Sequence, residues 1–276
     1  MPVCCDPKAF DLLRRHRREL ETTAGLTAGA VAVAKHANPK LTRAAINRRL
    51  EAIDELFVGR VHEGSSVQGK LAHLHHVLFD ELGLSGNGRD YYNPSNSYVD
   101  KVIKSGRGLP ITLALVYKMV GERLGLRVFG VGMPGHFVAA VEEGPGKLMY
   151  VDPFFGGCVV SPDEARTRTE AAFGDHFAWS PEFLKPVSHR MWLTRLIQNL
   201  IGTFTETRQF GNVAAMLELQ MLLWPDKPTL RRDLGLVLAR HGMAAPASMY
   251  LESYLEVVPD DPQLTDLREL LSALGH

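Results

Sequence analysis

The chain has 276 residues, with 31 basic and 31 acidic side chains, so its formal net charge is zero. It carries no basic excess to hold nucleic-acid phosphate or an anionic membrane surface, so binding to either is not expected. Its 45% hydrophobic and 22% charged content is that of a globular protein long enough to bury a substantial core.

From Pro7 to about Phe57 the pattern is helical. Phe10, Leu12 and Leu13 lead a charged stretch through Glu21, and the run Arg14 to Arg18 reads as a solvated face because Glu19 and Glu21 continue it. The longest apolar run, Ala28 to Ala34, is far short of the ~20 residues of a bilayer span. Asn38-Pro39 marks a boundary, since the residue before proline avoids the α region. Leu41, Ala45, Ile46, Leu50, Ile53 and Phe57 then recur at helical spacing, and Val67 to Leu82 predicts a further helix. On it, His73 and His76 are one turn apart with no acidic residue completing a ligand set, so no metal site is expected.

Ser85 to Asp90 is a turn cluster that lacks the Lys-Ser/Thr ending of a phosphate-binding loop. Asn96 or Ser97 is positioned to cap a helix from Tyr98 to Lys104. Pro110 to Leu124, ended by Gly125, has proline in its first turn and glycine past its last. Its near-continuous apolarity predicts a buried helix. Strands are predicted over Val128 to Met133, His136 to Val141 and Leu148 to Asp152, the last two joined by Glu143-Gly144-Pro145-Gly146, with Cys158 to Val160 as an edge strand. Ser161-Pro162-Asp163-Glu164 is a capping box that opens another helix.

Beyond Val187 the pattern is helical and repeats. Pro225 and Pro259 lie 34 residues apart, and Leu200, Phe204, Leu217 and Leu223 fall on Leu234, Leu238, Leu251 and Val257 at the same offset. That period is the one of tetratricopeptide repeats. Gly235 fits the first helix of the second copy, where the first copy carries Ile201. Two copies are fewer than the three or so that stand alone, so they are expected to dock on the centre of the chain.

His136 and Asp152 are the polar candidates for a site. They follow a buried helix with a glycine-rich entry, an order that resembles the transglutaminase-like branch of the papain-like fold. In that branch a helix opens at G-x-C, a strand carries His, and the next carries Asp at a D-P step. The resemblance implies a thiolate nucleophile, a proton-shuttling imidazole and an orienting carboxylate. Gly108 matches the glycine of G-x-C, and Pro110 falls on the nucleophile. His136 and Asp152 fill the other two positions.

A closer resemblance is to the SirB family, transglutaminase-like proteins with C-terminal tetratricopeptide repeats. It rests on Tyr91 to Tyr98, Arg107-Gly108-Leu109-Pro110-Ile111, Gly130 to Phe137 and Asp152-Pro153-Phe154-Phe155-Gly156-Gly157. Proline at the nucleophile position is in keeping with that family, which implies a regulatory or partner-binding role. F-box proteins that carry a related module add a protein-handling context by analogy.

The fold expected is α+β: a helical region over 1–64, a transglutaminase-like core with a small antiparallel sheet over 65–186, and tetratricopeptide-type helices over 187–276. The leading functional expectation is a pseudoenzyme, not cysteine-catalysed, that binds a protein or peptide partner through the repeats or a central cleft. The alternative is an amide hydrolase or acyl transferase in which His136 and Asp152 serve a non-standard nucleophile. Thr112 and Cys158 are the residues weighed for that role, and Asn96, Pro110, Thr112 and Cys158 are placed around the cleft. No cofactor is expected, and the oligomeric state stays open. Three cysteines and no apolar leader point to the cytoplasm.

Overall fold

Helix α6 (Pro110–Arg123) organises the structure, because every residue from Pro110 to Gly121 is buried. A helix apolar on all sides needs partners on all sides, and the chain supplies them in sequence. The computed structural model describes residues 1–174, 177–260, 262 and 264–275. Before α6 come α1 (Pro7–His16), α2 (Thr23–Ala37), α3 (Arg43–Asp54), α4 (Val67–His75) and α5 (Val99–Ser105). Four of these start on a side-chain cap: Asp6, Thr22, Thr42 and Ser66 each accept from a backbone N–H of the first turn. The helix expected over Val67 to Leu82 changes after His75 into one wider turn, His76–Glu81. Residues of the expected turn cluster, β1 (Ser85–Gly86), pair in parallel with β2 (Arg107–Gly108) beside the start of α6.

The sheet is antiparallel in the order β3 (Val128–Val131), β4 (Val138–Gly144), β5 (Lys147–Asp152), β6 (Cys158–Val160). Side-chain alternation splits it into two buried faces. Val128, Ala139, Val141 and Val151 join the core around α6. Val131, Val138, Ala140 and Val160 pack instead with Ala165 of α7 (Pro162–Phe173) and with Leu184. The capping box at Ser161 and Glu164 is present as the sequence predicts. Buried Lys118 donates to the Val128 carbonyl at 2.5 Å and to Glu122, tying α6 to the sheet.

The C-terminal helices are α8 (His189–Glu206), α9 (Phe210–Leu223), α10 (Thr229–Arg240), α11 (Ala244–Leu255) and α12 (Leu264–Leu274). α11 begins 34 residues after α9, matching the sequence period. Leu200, Phe204, Leu217, Leu223, Leu234, Leu238 and Leu251 are all buried, whereas Val257 is exposed. Gly235 allows the close pairing of α10 with α11, since a Cβ there would stand 2.7 Å from Leu251. α8 packs against the central helix. Its Trp192 is fully buried and donates from Nε1 to the Ile111 carbonyl in the first turn of α6, at 3.2 Å. One apolar core therefore runs from Cys5 to Ala247.

The start of α8 also carries a pH-sensitive joint. His189 donates from Nδ1 to the Leu20 carbonyl at 2.9 Å. Burial, with Lys118 adding to it, pushes its pKa below the ordinary 6.5, and burial does the same to His75. Below that ordinary value the unfolded chain takes up protons that the folded chain resists, so stability is complete above it and falls as pH drops through the folded values. The urea midpoint should therefore hold between about pH 8 and 7 and decline below about 6.5. His189→Gln should flatten part of that decline.

Candidate functional site

His136 lies in the loop between β3 and β4, not on a strand as its sequence context suggests. Pro134 and Gly135 turn the chain there, Gly135 at φ +69°, which side-chain-bearing residues rarely adopt. The turn closes with the His136 N–H on the Met133 carbonyl, and the strand begins two residues later. Asp152 ends β5 and is completely buried. Its Oδ1 accepts from the backbone N–H groups of Phe154 and Phe155 at 3.0 and 3.4 Å, capping the short helical turn Pro153–Phe155. Its Oδ2 accepts from His136 Nε2 at 2.7 Å. A carboxylate can only accept, so the proton of this bond sits on Nε2 and Nδ1 is left facing away from Asp152. Among the described residues Nδ1 has no hydrogen bond. The rings of Phe154 and Phe155 flank the imidazole at 6.1 and 6.0 Å between centroids.

A cavity of about 280 Å³ opens beside this pair. His136, Asp152, Met133, Phe155, Arg168 and Thr169 line it. It lies on the α7 side of the sheet, the same side as Leu148, Tyr150 and Cys158. Arg168 brings Nη1 to 3.7 Å from Asp152 Oδ2 and stacks over Phe155 at 5.9 Å. Nothing in the sequence singled out Arg168; its place follows from the phase that the Ser161–Glu164 capping box gives to α7. Thr169 is occupied, donating its hydroxyl to the Ala165 carbonyl at 2.8 Å.

Of the residues placed around the cleft by sequence, the structure brings His136 and Asp152 together. Asn96, Pro110, Thr112 and Cys158 are not among those lining this cavity. Pro110 opens α6 and is buried. Thr112 is fully buried, and its hydroxyl has no partner among the described residues. Cys158 stands opposite Asp152 in the β5–β6 register, half-buried. Asn96 does not cap the helix that begins at Val99, which has no side-chain cap. Its amide donates to the Asp90 and Tyr91 carbonyls and its side-chain oxygen accepts from Asn87, while its carbonyl accepts from Leu109 just before α6. Ser97 is likewise buried in the turn before α5. These bonds hold the Asp90-to-Asn96 loop against the α6 entry.

The histidine cluster on α4 is used internally. His75 Nε2 meets the Tyr117 hydroxyl at 2.9 Å, and His76 contacts Asp80 and Glu81. Among the described residues no group of three or more His, Cys, Asp or Glu is arranged to hold a metal ion.

The pair can orient an imidazole and present Nδ1, but acyl transfer needs a nucleophile within hydrogen-bond reach of the base. No thiol or hydroxyl hydrogen-bonds to His136 among the described residues.

Comparison with known proteins places this geometry in context. Residues 44–198 match the model of the transglutaminase-like superfamily, and residues 203–272 match a tetratricopeptide repeat model. A UPF0162 protein of Xylella fastidiosa strain 9a5c is 31% identical over 260 residues, covering 93% of this chain and 92% of its own. A UPF0162 protein of Vibrio cholerae is 24% identical over 255 residues, covering 91% and 93%. Human F-box only protein 21 is 26% identical over 167 residues, which is 57% of this chain and 26% of that protein. No solved structure matches.

Proposed function

The chain belongs to the UPF0162 proteins of the transglutaminase-like superfamily, and from that premise we propose that it is a non-catalytic member that binds a protein or peptide partner. The observation that carries this reading is Pro110 at the start of α6, the position that the resemblance to the transglutaminase-like order assigns to the cysteine. A proline side chain has neither a nucleophilic atom nor a proton to give. The bond from His136 to Asp152 then serves to close the β4–β5 end of the sheet and to shape the cavity. The acyl-transfer alternative lacks support from the geometry, since Thr112 and Cys158 make no hydrogen bond to His136. The SirB-type reading rests on the same motifs, and the repeats supply a second surface suited to a protein partner. We place the protein in the cytoplasm, which its free cysteines support.

The test is co-purification of partners with the tagged full chain from its native cells, identified by mass spectrometry. His136→Ala probes the cavity, and Met249→Glu, at an exposed apolar position on α11, probes the repeats. A partner recovered specifically with wild type supports the reading, and a drop of about tenfold with either variant, the loss expected when a buried contact worth about 1.4 kcal/mol is removed, assigns it to that surface. Recovery of no partner above a bead control would contradict the reading. Cutting the chain at Val187 is not a usable test of the repeats, because it removes Trp192 from the core.

A further inference from the structure

The loop that carries His136 separates two cavities. On its far side a second one, of about 390 Å³, lies between Gly132 and Phe137 of the loop and helices α8 and α9. Phe137 and Trp224 form aromatic walls, and Arg195, Gln198, Gln220 and Lys227 supply the polar groups. The lining includes two cations and no acidic side chain. The Arg195 guanidinium stacks over Phe137 at 5.6 Å and lies so close to Gly132 that a Cβ there would be 3.0 Å from Nη1. Arg190 stacks over Trp224 at 5.3 Å.

Among the described residues neither Arg195 nor Lys227 forms an ion pair, although arginines elsewhere pair with Asp11, Asp54 and Glu81. Burial lowers the Arg195 pKa, a sign that its charge is held partly out of water without a carboxylate to offset the cost. Gln220, 4% exposed overall, lines the cavity, and its amide makes no hydrogen bond to another described residue.

We infer that this cavity binds an acidic peptide segment: a carboxylate on Arg195 and Lys227, an adjoining apolar side chain between Phe137 and Trp224, and a peptide group on Gln198 and Gln220. Guanidinium and carboxylate match in charge and geometry. The two glutamine amides decide for a peptide over a free phosphate, because a peptide group both donates and accepts whereas a phosphate oxygen mainly accepts. The volume is in the range of small-ligand sites, about 300–1,000 Å³. This inference rests on the partner-binding reading and names the chemistry of the partner.

The test pans a randomised heptapeptide phage library on the immobilised full chain at low salt. Wild type, the double variant Arg195→Gln/Lys227→Gln, and His136→Ala are compared, with melting temperatures taken to confirm folding. Lys227 is exposed, so Lys227→Gln alone serves if the double variant is unstable. Peptides enriched on wild type should share an Asp or Glu beside an aromatic or aliphatic residue. The best of them, synthesised, should bind about tenfold more weakly to the double variant, and a Gln/Asn version should bind about tenfold more weakly to wild type. Peptides enriched without an acidic residue, or retained by the double variant, overturn the inference. If such peptides are lost with His136→Ala, partner binding stands and only this cavity is rejected. No enrichment, with a melting temperature raised by inorganic phosphate alone, assigns the cavity to a free anion and overturns it too. No enrichment together with no co-purified partner overturns both readings.

Discussion

Trp192→Ala should lower the unfolding free energy by about 3–5 kcal/mol, the range for deleting a large aromatic from a packed core. Trp192 is the largest fully buried side chain. Its ring lies 4.9 Å from that of Phe137, in the loop next to His136, and would be 2.4 Å from a Cβ on Gly130 of β3. Its Nε1–H reaches the first turn of α6. One side chain thus joins α8 to the central helix and the site loop, so the loss cannot stay local. Trp192→Phe keeps most of the ring and gives up the hydrogen bond, and should cost about 1–2 kcal/mol. Urea unfolding of the full chain separates the two values. If both variants cost under about 1 kcal/mol, the α8 contact is not what fixes the repeats to the core.

Asp152→Ala should be nearly as severe, about 3–5 kcal/mol, because it strands the partners of a fully buried carboxylate. The backbone N–H groups of Phe154 and Phe155 and the His136 Nε2–H all lose their acceptor, and Arg168 loses its nearest carboxylate. Unmet buried donors cost about 1–3 kcal/mol each. Asp152→Asn keeps an oxygen for the two backbone donors and should cost about 1–2 kcal/mol, with the imidazole free to accept from the new amide through its other tautomer. His136→Ala should cost less than Asp152→Ala. The reason is that Asp152 retains its two backbone bonds, while His136 lies in a loop. The order of the three costs, read by urea unfolding, checks that Asp152 is the structural member of the pair and His136 the one it positions.

Much of this was legible in the chain. The α6 boundaries follow from Pro110 and Gly125, two residues whose backbone limits are intrinsic. The order of the sheet follows from alternation and from the Glu143-to-Gly146 turn. The repeat offset of 34 is met by α9 and α11. The pairing of His136 with Asp152 was expected from the resemblance to the transglutaminase-like order, and the structure brings the two side chains together. What escaped the sequence depends on contacts between distant segments. Trp192 reads as one more apolar position of a repeat, and only packing makes it a bridge to α6. Arg168 reads as a surface residue of a polar helix, until the folding of α7 over the sheet brings it to Asp152. Asn96 reads as a helix cap by type, yet its amide is taken up by the Asp90 and Tyr91 carbonyls six and five residues back. Arg195 lies among apolar neighbours on α8, and its lack of a carboxylate partner cannot be seen without the fold.

Intact-mass spectrometry after incubation with an activated acyl ester and with glutamine-containing peptides bears most directly on the role of the His136 site. A non-catalytic site predicts no acyl adduct whose yield depends on His136, with wild type and His136→Ala giving the same spectrum, including any background on Cys4, Cys5 or Cys158. An adduct mapped to a residue lining the His136 cavity, present in wild type and absent in His136→Ala, would contradict it.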